Sequence, residues 1–219
     1  MKESSHSLVS LTTYLNKGFA LRLHARQMWD PGPDPAISAA SVFLALRHAL
    51  VFRLPSFQQR DAERAHSYRP PWIGAERAFR DDTLGYSWCG FHLEPLERML
   101  VDVNRQLKRR KAFDVGGVQG HWVAALDGIE VWSSFSRRGE SCLERRVMRK
   151  DQAGRRVEPI QYDHRAVGCQ MIHSPVKPFL ALEWLRPGEG EDTAALRLLS
   201  GRPRLWGSRF FAILLLDAL

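Results

Sequence analysis

His121–Ser134, HWVAALDGIEVWSS, is the stretch whose reading decides the fold. It sets one carboxylate, Asp127, at the end of a short apolar run. Near the C-terminus, Arg209–Leu219 (RFFAILLLDAL) repeats the arrangement with Asp217. A carboxylate is a poor strand former and costly to bury without a partner. Two of them, each closing an apolar strand, point to a pair of metal ligands at one edge of a sheet. Trp122–Leu126 and Ile129–Ser134 read as two strands, and the plainer account of Asp127-Gly128 between them is a hairpin turn that needs no metal.

Downstream of this stretch the pattern is strand-like. Cys142–Lys150 and Tyr162–Ile172 are strand candidates separated by the loop DQAGRR, and Phe179–Leu185 is another. The loop RPGEGE leads to a helix from Asp192, with Ala194, Ala195, Leu198 and Leu199 on one face and Gly201 as its stop. The acids Glu189, Glu191 and Asp192 suit the N-terminus of that helix. The apolar strand Phe210–Leu216 comes last. Upstream the pattern is helical. Residues 1–33 are mixed and end in the breaker-rich WDPGPDP; Asp34-Pro35 then starts a buried helix reaching Phe52. Asp81 or Asp82 can start a short helix. From Phe91 to Phe113, Leu93, Leu96, Leu100, Val103 and Leu107 form one helical stripe, closed by the basic run Lys108, Arg109, Arg110 and Lys111. The expected division is a helical region over 1–115 and an α/β domain over 116–219.

Composition sets the partner class. The chain carries 32 Lys plus Arg against 24 Asp plus Glu, a net charge of +8, with a pI near 9.9. That surplus favours a polyanion, most simply nucleic acid. Arg137, Arg138, Arg145, Arg146, Arg149, Lys150, Arg155 and Arg156 form the densest basic stretch, read as a DNA track or as a solvated loop. Three scattered cysteines without a CxxC pair speak against a disulfide framework or zinc knuckle. His121, His164 and His173 with Cys142 and Cys169 fit no zinc spacing, and read as structural or surface groups. MKESSHSL has no apolar signal region, and Phe210–Leu216 is too short to span a bilayer, so a soluble cytoplasmic chain without a membrane partner is expected.

ALDGIEVWSS, then SRRGESCLERRV, YDHRAVGCQMI, LALEWLRPGEGEDTAALRLL and LLLDAL, in that order, resemble bacterial insertion-sequence transposases of the DDE type. The upstream LPSF and DDTLGYSW segments resemble the helical N-terminal region of such proteins. The resemblance runs from Ile37 to the end and is densest over residues 120–219. It implies an RNase H-like mixed sheet with flanking helices, incomplete at the C-terminus, preceded by a helical region that binds the element's DNA ends. In that fold the first acid sits on the first strand and the second on the fourth, side by side, matching Asp127 and Asp217. The family's third acid, a glutamate on a later helix, has no counterpart in this chain, and Glu183, Glu189 and Glu191 precede the second aspartate. The resemblance therefore implies a chain that does not cut DNA alone.

The implied chemistry is metal-dependent hydrolysis and strand transfer on double-stranded DNA, with a homodimer in the DNA complex. Two ions, Mg²⁺ or Mn²⁺, clamp a phosphodiester between them, and oxygen ligands suit both. Asp127 would bridge the ions and Asp217 would hold one. Lys108, Arg109, Arg110, Lys111, Arg137, Arg138, Arg145 and Arg146 would meet DNA. The competing class is a non-catalytic DNA-binding fragment that competes with a full-length transposase.

Overall fold

A computed structural model describes residues 2–29, 37–51, 53, 79, 82–83, 91–139, 142–201, 206 and 210–216, with backbone only for 2–9. The chain divides into two compact units, Met1–Val103 and Asn104–Leu219. The division falls inside a helix, upstream of the Gly116-Gly117 break.

The first unit is helical. α1 (Lys2–Phe19) and α2 (Leu21–Arg26) are separated by Ala20, whose left-handed backbone (φ 50°) interrupts the helix. The sequence reading leaves this region unassigned. Its Ser- and Thr-rich first half favours local side-chain hydrogen bonds over the helix, which hides the pattern. α3 (Ala39–Val51) is buried nearly all round, as expected from its apolar circumference. Val42, Phe43, Leu44 and Leu46 join Leu21, Met28, Phe79 and Phe91 in one core. The proposed start at Asp34-Pro35 lies outside the described residues, whereas Asp82 and Thr83 are helical as suggested. α4 (Leu93–Arg109) closes this unit and opens the next. Its most buried positions are Val101 and Asn104, while Leu93 of the expected stripe is exposed. Asn104 is buried because its side-chain amide donates to the Phe179 carbonyl at 2.9 Å.

The second unit is a mixed sheet with flanking helix. β1 (Val123–Ser134) runs antiparallel to β5 (Ile160–Met171) over nearly its whole length. The other edge of β5 is shared by β2 (Leu143–Arg146) and β6 (Phe179–Trp184), both antiparallel to it. β3 (Arg149–Lys150) and β4 (Arg156–Val157) make a separate small ribbon in the basic insert. α5 (Glu191–Gly201) crosses back, and β7 (Ile213–Leu216) then pairs with the free edge of β1, parallel to it. Ala194, Ala195 and Leu198 of α5 are buried with Ala124, Leu126, Val167, Cys169 and Met171 of the two long strands. This is a mixed α/β unit, as expected.

One expectation is corrected. Residues 122–134 are not two strands joined at an Asp-Gly turn. Asp127 and Gly128 lie inside one continuous strand, opposite Gly168 and Val167. Gly168 is packed over on this face. A Cβ there would meet Ile129 Cδ1 at 2.5 Å and the Phe179 ring at 3.0 Å, so the missing side chain makes room for both. The strand has one irregularity, between Glu130 and Trp132, where the register shifts by a residue.

Candidate functional site

Strand geometry decides what Asp127 can reach. Successive side chains alternate between faces, and register partners share a face. Asp127, Ile129, Gly168 and Ala166 therefore lie on one face, and Leu126, Gly128, Val167 and Cys169 on the other. The second face carries α5. There, Gly128 sits directly beneath the Glu191 carboxylate, whose oxygens lie 2.2 and 2.5 Å from where a Cβ would be. A cavity of about 510 Å³ opens at this place, lined by Gly128, Arg165, Glu191, Asp192 and Leu216 among others, with Asp127 at its wall. Asp127 and the Glu191 carboxylate of α5 therefore lie on opposite sides of β1. Asp127 is exposed.

Asp217 lies outside the described residues. Its strand does not: β7 pairs with β1 so that Leu216 is opposite Leu126. In the sequence, each of these two leucines is followed by an aspartate.

The other acids near the cavity are engaged in the fold. Arg197 of α5 donates to Glu183 at 2.9 Å, to Glu189 at 2.6 Å and to the Trp184 carbonyl at 2.7 Å, pinning the helix to the end of β6. Glu191 and Asp192 occupy the first turn of α5, where the helix dipole favours them. The hydrogen bond from Arg197 holds the Glu189 carboxyl below its ordinary value, and the Ser133 hydroxyl, with attraction from Arg145, does the same for Glu130. A depressed folded-state value gives stability that is present above the ordinary 4.5 and lost as pH falls through the lower folded value. Stability is accordingly expected to be flat from neutral pH to about pH 5 and to decline further down. Urea midpoints across that range check it, and Glu189→Gln should shallow the decline.

His173 is a structural group, and His121 is exposed. His173 Nε2 donates to the Phe113 carbonyl at 2.9 Å, while its Nδ1 accepts the Val123 N–H at 3.0 Å. Ser174 Oγ donates to the Ala112 carbonyl at 3.0 Å. The turn after β5 thus clamps the end of α4 against the start of β1. His164 Nε2 lies 3.5 Å from Cys142 Sγ, the one pairing that the structure makes among the scattered His and Cys residues described. Burial pushes the Cys169 thiol up to about 12, so it behaves as a small apolar group.

The basic candidates separate by environment. Lys108 folds its ammonium over the Trp122 and Phe210 rings, at 4.9 and 5.1 Å from their centroids, and burial lowers its basicity. Arg109, Arg110 and Lys111 are exposed. Arg145 is tied into the sheet, reaching Glu130, Gln161 at 3.0 Å and Asp163 at 3.2 Å. Arg138 pairs with Glu144 at 3.1 Å, and Arg137 and Arg146 are exposed. Sequence reasoning missed Asp163, which is wholly buried between Arg145 and Arg165, and nothing in YDHRAVG signals it.

Among the described residues there is no group of three His, Cys, Asp or Glu side chains that could hold a metal ion. No described helix is long and apolar enough to cross a membrane. No family model, curated protein or solved structure matches the chain.

Proposed function

We propose that this chain is the DNA-directed, acid-bearing part of an insertion-sequence DDE transposase, its second unit being RNase H-like. The observation that carries the reading is the parallel β1–β7 pairing, in which Leu126 and Leu216 are partners and each precedes an aspartate in the sequence. A strand that returns beside the first one through a crossover helix is what the family's pair of acids requires. The basic insert between β1 and β5 supplies the charge for a DNA backbone.

The described residues alone do not make a metal site. They contribute one exposed carboxylate, Asp127, and Glu191 projects from the opposite face. The Mg²⁺ or Mn²⁺ reading therefore rests on Asp127 together with Asp217.

Manganese titration followed by electron paramagnetic resonance tests it. Purified chain should bind Mn²⁺, and Asp127→Asn and Asp217→Asn should each abolish that binding with the far-ultraviolet spectrum unchanged. Identical titrations for the parent chain and both variants would refute metal binding at this pair. The exposed cations Arg109, Arg137 and Arg146 fit equally a second reading, a non-catalytic DNA-binding protein. Salt-sensitive duplex binding without Mn²⁺ binding is its signature.

A further inference from the structure

The face of the sheet that carries Asp127 also carries a row of aromatic rings. Trp132 is opposite His164, and Trp184 is opposite Ala166 two residues along β5, so pleating sends Trp132, His164 and Trp184 to one side. Their rings are in contact: Trp132 and His164 have centroids 5.7 Å apart, and His164 and Trp184 6.4 Å. Both tryptophans are exposed, at 36% and 39%. Tyr162 continues the row, and the Arg138 guanidinium lies over its ring at 5.8 Å. At the far end of β1, Arg149 covers the exposed Phe135 ring at 4.5 Å.

Rings that touch in an exposed row, unlike apolar residues scattered singly, mark a contact surface, and the charge around these says what covers them. The insert from Phe135 to Ile160 holds eight Lys and Arg against four Asp and Glu. A protein partner with an apolar face would gain nothing from so many cations. Duplex DNA would use the cations but not the rings, because its bases are stacked inside. A strand with unpaired bases uses both: the rings stack on base faces and the guanidiniums meet phosphates. We infer that this face binds single-stranded nucleic acid, with Trp132 and Trp184 as the stacking platforms and the β2–β4 insert following the backbone. The inference rests on the reading of the chain as DNA-directed, and it places unpaired nucleotides on the face of β1 that bears Asp127.

Fluorescence anisotropy with a labelled oligothymidylate and a labelled mixed-sequence duplex tests this on the full chain. Oligothymidylate should bind more tightly. Trp132→Ala and Trp184→Ala should each weaken it by roughly tenfold while leaving duplex affinity unchanged, and Trp132→Phe should restore most of the loss. Intrinsic tryptophan emission of the parent chain should be quenched with the same midpoint, a readout that needs no variant to fold. Preference for duplex, equal losses on both probes, absence of quenching, or a dimer that Trp132→Ala dissolves would each overturn the inference. A chain that stacks oligothymidylate but takes no Mn²⁺ would thus sink the metal reading and leave this one standing.

Discussion

Asp163→Ala is expected to destabilise the second unit by about 3 kcal/mol, the low end of what removing one partner from a buried ion pair costs. Asp163 is 0% exposed, with Arg165 Nε donating to Oδ1 at 3.1 Å and Arg145 Nε 3.2 Å from Oδ2. The second contact is electrostatic, since Oδ2 has no hydrogen-bond partner of good geometry. Taking the carboxylate away leaves two guanidiniums facing a void at the junction of β1, β2 and β5. Their side chains are 41% and 29% exposed, so water partly compensates, which keeps the cost from the upper end. Asp163→Asn keeps the volume and one acceptor and should cost about half as much. Urea denaturation reads both, and a shift below about 1 kcal/mol for the alanine variant would mean that Asp163 only fills space.

Gly116→Ala is expected to cost about 3 kcal/mol for a different reason. Gly116 has φ +90°, and a Cβ there would lie 2.3 Å from the His173 carbonyl oxygen. The obstacle is backbone, held by the His173 ring bridging Phe113 and Val123, so it cannot swing aside. Gly120 is the internal control. Its φ is +80°, but nothing lies within 4 Å of its Cβ position. Gly120→Ala should therefore show the backbone strain alone, about 1 kcal/mol. Equal costs for the two variants would remove the clash from the account.

These two sites mark where sequence reading stops. β5, β6 and α5 were legible because burial on one face wrote itself into apolar spacing, as in Ala194, Ala195 and Leu198. The unbroken β1 was not, because Asp-Gly is a strong local turn signal and what overrides it is pairing with β5, some forty residues on. Asp163 sits in a run of alternating polar residues, and its burial depends on two arginines from different strands. α1 and α2 carry weak patterns, and the break between them is an alanine in a conformation that alanine seldom adopts. At the candidate site, Asp127 was legible as an odd carboxylate in an apolar run. That it shares a face with Trp132 was not, because five residues of regular strand would put the two on opposite sides. The irregularity after Glu130 reverses the alternation.

The parallel pairing of Val123 with Ile213 also has a consequence for the order of events as the chain folds. β1 and β5 are joined by the insert that carries β2 to β4 and can pair before the crossover helix is made, but the other edge of β1 stays open until Ile213–Leu216 arrives. Contacts between distant residues form late, because the closure entropy precedes the reward. During that interval Val123–Leu126 presents unpaired amides beside an apolar row, a template for any other extended strand nearby. The segment that covers this edge of β1 becomes the sheet's edge in its turn, short at four residues, which limits what can pair with it. Slow synthesis or a weakened β7 would be felt as aggregation before it was felt as lost stability.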